Sequence, residues 1–378
     1  MKEKLEQIKT NGQYRSLRSN TQDGAYIVLP DSKEMLNLSS NDYLGIASNK
    51  KLQEEFYQTI AAESNALRLS ASSSRLLTGN FSIYDKCEQY LGGLYSKTAL
   101  IFNSGYHANT GILPSLTTNK DLILADKLVH ASIIDGIRLS SAECIRFKHN
   151  DMLQLERILK ERAHLYEHVW IATESIFSMD GDIADLPKLV QLKKAYPNVM
   201  LYIDEAHAVG VRGKRGLGLC EEFNIVSDID FIIGTFGKAL AGIGAYVICK
   251  PEYKEWLINT MRTLIFTTAL PPINLHWSLF ILKRLDSFEK ERTELNNLIS
   301  LFRKNVHFEN TISQSHIIPF MIGDSKKAVE KSEDLQSKGY FALAVRPPTV
   351  PQNTSRLRLS LRSDLPIEEI KKFLTLLD

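Results

Sequence analysis

The chain has 378 residues, 44% of them apolar and 24% charged, with 20 Gly and 12 Pro, a mixture that excludes collagen-like, disordered and coiled-coil chains and allows two or three globular domains. Forty-six Lys and Arg against 44 Asp and Glu leave a formal charge of +2, which supplies no electrostatic argument for nucleic acid or a membrane surface. The 4 cysteines show no CxxC spacing and suit a reducing compartment. With no secretory h-region at the N-terminus and no apolar run long enough to span a bilayer, a cytoplasmic protein is expected.

The first thirty-five residues read as a charged amphipathic helix followed by an extended stretch, YIVLPDSKEML, and residues 50–66 and 80–97 have helical character. From about residue 98 the runs TALIFNSG, DLILAD, ECIRFKH, VWIATESIF, MLYIDEA, DFIIGTF and GAYVICK predict strands, with helical stretches such as MLQLERILKERAHL and LPKLVQLKKAY between several of them. The alternation predicts an α/β fold, a mainly parallel sheet with helices on both faces, and the nearly continuous apolar runs suit strands buried on both sides. A long helix is expected over 272–303. After it come strand-like HIIPFMI, YFALAV and RLRLSL and a closing helix, IEEIKKFLTLLD. The expected division is a short N-terminal element (1–40), a large α/β domain (41–270) and a smaller C-terminal α+β domain (271–378).

Asp204-Glu205-Ala206-His207 closes the strand MLYIDEAH, and in open α/β sheets functional side chains gather at the carboxyl ends of strands. DEAH also resembles the metal-binding box of certain helicases, but the phosphate loop that such an ATPase needs is missing, and Gly237-Lys238 lies downstream and precedes Ala. A lone lysine after a strand passes for a solvated loop residue. Here Thr235-Phe236-Gly237-Lys238 follows the Asp–x–x–His by one strand, and the two together fit one purpose. A lysine can form a Schiff base with pyridoxal phosphate while an aspartate pairs with the pyridinium nitrogen, and burial beside other cations favours the neutral, nucleophilic amine.

Ser104-Gly105-Tyr106-His107-Ala108-Asn109 follows the strand TALIFNSG at a predicted helix start, where backbone N–H groups can meet a phosphate, although many such turns bind nothing. Ser178 also follows a strand and could equally cap the next helix. His130, in DKLVHAS, could stack on an aromatic ring or be a satisfied core histidine. His164-Leu165-Tyr166-Glu167-His168 matches an inverted zinc-protease motif but ends a polar helix and runs straight into a strand, where helical spacing fails, so no metal site is expected.

In order, SSNDYLG, SRLLTGN, NSGYHAN, DKLVHAS, ESIFSMDGD, DEAH, GTFGKA, FTTALPP and RPPTVP resemble the α-oxoamine synthases, fold-type I pyridoxal-phosphate enzymes, over essentially the whole chain. RPPTVP followed by RLRLSL most resembles the members that condense L-alanine with pimeloyl-CoA or pimeloyl carrier protein in biotin synthesis. Sister enzymes make glycine or serine the amino acid. The resemblance implies Lys238 as Schiff-base lysine and proton acceptor, Asp204 at the pyridine nitrogen, His207 near the phenolic oxygen, and His130 stacked on the ring. It implies Gly105, Tyr106, Ser178 and Thr235 at the phosphate, with Thr267 reaching the partner's phosphate in a homodimer. Arg358, helped by Asn41, would hold the amino-acid carboxylate, whose match to a guanidinium fork is bidentate. Thr349 and Arg15 fall at acyl-substrate contacts, with Arg18 a competing choice to Arg15.

Overall fold

The computed structural model describes residues 1–30, 33–61, 63, 66–305 and 312–377; parts of the stretches expected at 26–36, 50–66 and 367–378 lie outside them. In chain order the strands are β1 (Thr21–Asp23), β2 (Tyr26–Val28), β3 (Met35–Asn37), β4 (Thr98–Phe102), β5 (Leu122–Asp126), β6 (Glu143–Phe147), β7 (Val169–Glu174), β8 (Val199–Asp204), β9 (Phe231–Thr235), β10 (Ala245–Cys249), β11 (Ile317–Gly323), β12 (Tyr340–Phe341), β13 (Ala344–Val345) and β14 (Ser355–Ser360). The chain forms two compact units, each assembled from separate stretches.

The larger unit, residues 50–177 and 184–289, holds a seven-stranded sheet of order β4-β10-β9-β8-β7-β5-β6. Strands β9, β8, β7, β5 and β6 run parallel, and β10 is antiparallel to both β9 and β4. All seven strands expected from the apolar runs are present. The period of two explains how one strand serves two faces. Leu100 and Phe102, Ile123 and Ala125, Trp170 and Ala172, Met200 and Tyr202, Phe231 and Ile233 pack with Ile112, Leu113, Ile133 and Leu257 in one cluster. The alternate residues, among them Ile101, Leu124, Ile171, Leu201, Ile203 and Ile232, are at most 0% exposed, so both faces are covered. Each fully buried Leu or Ile contributes about 1.5–3 kcal/mol.

The smaller unit comprises residues 1–49, 178–183 and 290–378, so the N-terminal and C-terminal segments cluster together. One sheet has order β1-β2-β3-β12 and another β11-β14-β13. Helices Ser325–Ser337 and Ile367–Leu374 belong to this unit.

The single helix expected over 272–303 is two. Pro272–Leu282 ends at Lys283, a 3₁₀ turn spans Leu285–Phe288, and a second helix runs Glu289–Asn305. The first is apolar nearly all round, burying Leu275, Ser278, Leu279, Phe280, Ile281 and Leu282, whereas the second buries only a stripe through Leu295, Leu298, Ile299 and Phe302. The break falls where the chain leaves one unit for the other, and periodicity alone could not register a change of burial environment inside a continuous helical pattern.

Candidate active site

In the larger unit, Asp204 is the last residue of β8, in register with Glu174 of β7 and Ile233 of β9. It is 6% exposed, which a carboxylate tolerates only with partners. Oδ1 accepts from the Ala206 N–H at 2.9 Å and Oδ2 from Asn109 Nδ2 at 2.9 Å. His207 follows in the turn, also buried, with Nε2 3.0 Å from Lys238 Nζ. Lys238 is half-buried in the turn after β9. At the end of β9 the Thr235 hydroxyl donates to the Gly244 carbonyl at 3.0 Å and accepts the Gly237 N–H at 3.1 Å. Sequence reasoning singled out all four, and the structure brings Lys238 and His207 into direct contact.

His130 caps helix Ala131–Leu139, its Nδ1 2.7 Å from Ser132 Oγ. Although the residue is exposed overall, desolvation by its neighbours is the first cause that pushes its pKa below the usual histidine value. Lys238 lowers it further, and Asp204 and Asp135 partly offset this. Helix Gly105–Leu116 begins at Ser104, whose Oγ accepts the His107 N–H at 3.2 Å. No hydrogen bond among the described residues takes the N–H of Gly105 or Tyr106. Two open donors at the positive end of a twelve-residue helix are a ready anion site. With a buried carboxylate, an amine and a histidine contributed by neighbouring strand ends, the donor set fits pyridoxal phosphate. The Tyr106 phenol itself donates to Asp135, and Thr267 Oγ1 lies 3.4 Å from Asn103 Nδ2.

The other expected residues belong to the smaller unit. Arg358, on β14, donates from Nε to the Ser178 carbonyl at 2.6 Å and from Nη1 to Asn41 Oδ1 at 3.1 Å and Ser360 Oγ at 2.7 Å. Nη2 meets Tyr43 OH at 3.4 Å, and among the described residues its second proton has no acceptor. Arg15 donates to Thr349 Oγ1 at 2.8 Å and to the Arg346 carbonyl at 3.1 Å, joining the two residues expected at acyl contacts. Arg18 instead donates to Gln336 Oε1 at 3.1 Å.

Three residues that the sequence reading left without a role inside its motifs have one here. Asn109 and Ser132 tie Asp204 to His130, and Glu205 is a brace. Fully buried, Glu205 accepts from Ser175 Oγ at 2.6 Å, the Leu219 N–H at 3.1 Å and the Cys220 N–H at 2.6 Å, and burial pushes its pKa up. The ATPase alternative fails here, because this carboxylate is spent on the fold. In the HxxEH segment, Glu167 pairs with Lys120 at 2.7 Å and His168 with Asp121 at 3.1 Å. The cysteines are free, and burial pushes Cys87 and Cys249 up to about 12, far from a neutral-pH thiolate.

A family profile described as aminotransferase class I and II matches residues 33–377. A provisionally named 8-amino-7-oxononanoate synthase from Haemophilus influenzae (strain KW20 / Rd) is 52% identical, covering 98% of each chain. The structure aligns at TM-score 0.88 with a variant of serine palmitoyltransferase from S. paucimobilis that holds a PLP–myriocin aldimine, 25% identical, covering 99% of this chain and 95% of that one. An 8-amino-7-oxononanoate synthase from Francisella tularensis aligns at TM-score 0.74 and 28% identity, covering 91% and 96%. The chain belongs to the aminotransferase class I and II family, with the fold of the fold-type I pyridoxal-phosphate transferases. Within that class it is an acyl-transferring α-oxoamine synthase. No helix among the described residues is long and apolar enough to cross a membrane.

Proposed function

We propose that the protein condenses L-alanine with a pimeloyl thioester, on CoA or a carrier protein, releasing CO2 and free thiol to give 8-amino-7-oxononanoate for biotin synthesis, as a cytoplasmic homodimer. The observation that carries the chemistry is the larger unit's constellation of Asp204, His207 and Lys238 with the open N–H pair at Gly105 and Tyr106. The substrate pair is supported by the relatives' names. Pyridoxal phosphate supplies an electron sink for charge developing at the amino acid's α-carbon.

Each side chain then has a task. Asp204, held as an acceptor by two N–H donors, would hold the proton on the pyridine nitrogen. Lys238 would hold the cofactor through Nζ and would serve there as acceptor for the α-proton, with His207 Nε2 3.0 Å away to share it. Gly105 and Tyr106, with the hydroxyls of Ser178 and Thr235, are assigned to the phosphate, and Thr267 to the partner subunit's phosphate. His130, neutral at physiological pH because its pKa is lowered, is assigned to the ring face and the thioester carbonyl. To Arg358 and Asn41 we assign the amino-acid carboxylate, and their grip would fix the orientation of the bonds at the α-carbon and so the order in which they break. Arg15 and Thr349 are assigned to the acyl chain.

A serine palmitoyltransferase-type reaction is the second reading, favoured by the higher structural likeness of that enzyme (TM-score 0.88). A panel of alanine, glycine and serine against pimeloyl, palmitoyl and acetyl thioesters, following CO2 and amino ketone, separates the two. Turnover with alanine and pimeloyl thioester alone is expected. Borohydride reduction should fix the vitamer on Lys238, and a protein that stays colourless with pyridoxal phosphate and yields no adduct there would refute the cofactor assignment.

A further inference from the structure

Behind Asp204 lies a chain of hydrogen bonds that the tasks above leave unused. Asn109, on helix Gly105–Leu116 and 1% exposed, donates from Nδ2 to Asp204 Oδ2 and to Ser132 Oγ, both at 2.9 Å, while its Oδ1 accepts from Tyr202 OH at 2.7 Å. Ser132, 0% exposed, places Oγ 2.7 Å from His130 Nδ1. The two helices can approach this closely because residue 136 is glycine. A Cβ there would sit 2.2 Å from the Asn109 carbonyl oxygen.

The donors along this chain can be assigned in turn, and the backbone N–H at its end fixes the direction. The Asn109 amide nitrogen faces Asp204 Oδ2, which leaves its Oδ1 for the tyrosine proton. The second amide proton goes to Ser132 Oγ, which leaves the serine's own proton free to reach His130 Nδ1. The Ser132 backbone N–H, 3.3 Å from the same nitrogen, can only donate as well. Two donors on Nδ1 leave the neutral imidazole one protonation site, Nε2.

We propose that Asn109 and Ser132 are positioning residues that lock His130 in the Nε2–H tautomer and fix its ring relative to Asp204. His130 thereby presents a proton donor at Nε2, the nitrogen not engaged by the helix. The consequence for catalysis rests on the function proposed above; the tautomer does not.

Long-range 1H–15N correlation spectra of [15N-His] protein without cofactor decide it, with His130 assigned by the signal lost in His130→Gln. In the wild type, Nε2 should be protonated and Nδ1 bare. In Ser132→Ala, which keeps the backbone donor, and in Asn109→Asp, which cannot donate to Asp204, the two tautomers should mix. With cofactor, kcat for Ser132→Ala should fall by roughly 10- to 100-fold, less than the ~10⁴ lost when a tautomer-fixing partner is disabled in a catalytic triad, while KM for the thioester stays within about twofold. A wild-type spectrum with the proton on Nδ1 overturns the proposal even if Asn109→Asp fails to fold. Unchanged tautomer and kcat in Ser132→Ala overturn it too. A colourless protein would sink the cofactor assignment and leave this result standing.

Discussion

Replacing Glu205 with Ala tests whether the second residue of DEAH is a structural brace or part of the chemistry. The side chain is fully buried and accepts three hydrogen bonds, from Ser175 Oγ, Leu219 N and Cys220 N, at 2.6, 3.1 and 2.6 Å. Alanine strands all three donors. An unsatisfied buried donor costs about 1–3 kcal/mol, and some relaxation and water entry bring the sum to about 3–5 kcal/mol, the range found when one partner of a buried charged pair is removed. For a unit the size of the larger one, each kcal/mol moves Tm by about 2–4 °C, so a drop on the order of 10 °C is expected. Glu205→Gln keeps one acceptor and should lose roughly half as much. Differential scanning fluorimetry of protein saturated with pyridoxal phosphate, paired with kcat at a temperature where both proteins remain folded, separates the roles. A variant with unchanged Tm and a kcat reduced a thousandfold would refute the brace. The raised pKa sets the sign with pH. An acid whose folded pKa lies above its unfolded value contributes stability that is present below the unfolded pKa and lost as pH rises through the folded one, so the Glu205→Ala deficit should be larger at pH 4 than at pH 8.

Arg358→Lys removes the guanidinium fork with its contacts to Ser178 and Asn41. Losing one charge-assisted hydrogen bond of about 1.5–3 kcal/mol should lower kcat/KM for the amino acid about 10- to 100-fold and leave the thioester KM unchanged, measured by initial rates. Because desolvation and Lys238 lower the His130 pKa, the histidine charges only below its ordinary value of about 6.5. Its contribution to stability is present above that pH and lost as pH falls through the lowered pKa, and an acid limb of kcat that titrates above 7 would contradict its neutral role. Gly234→Ala puts a Cβ 2.2 Å from Cζ of the fully buried Tyr246, and overpacking of this kind should cost about 1–3 kcal/mol. The loss should appear in urea unfolding, with the Lys238 adduct still forming.

Most of the sheet was legible in the sequence because all its strands but the half-exposed edge strand β6 are buried on both faces, so each appears as a short continuous apolar run that no helix period interrupts. Asp204 and Lys238 were legible for a related reason. A charged residue at the end of such a run, or in the turn just after it, must lie at the carboxyl end of the sheet, and β8 and β9 are neighbours there. The Asn109–Asp204 bond was not legible, since its partners are 95 residues apart and Asn109 reads as one more polar residue in a helix. Glu205 misled because DEAH as a string does not tell a carboxylate directed at a ligand from one turned into the protein. The long helix over 272–303 failed on environment, since one pattern of apolar residues served two units with different burial.

One helix links the two halves of the larger unit's site. The first turn of Gly105–Leu116 offers two unpaired N–H groups, and a turn later the same helix carries Asn109. On β8 the period of two puts Met200, Tyr202 and Asp204 on one face, and Met200 and Tyr202 belong to the cluster that packs on Ile112 and Leu113 of this helix. The apolar part of that contact therefore sets the separation at which Asn109 meets both Tyr202 OH and Asp204. A rigid helix clamped to a rigid strand fixes the two open N–H groups and the carboxylate relative to each other without a flexible loop between them, and functional groups held to within about half an ångström need this kind of support. The hydrogen-bond network behind Asp204 is thus an extension of the hydrophobic core: the packing that buries Tyr202 also places the donors around Asp204.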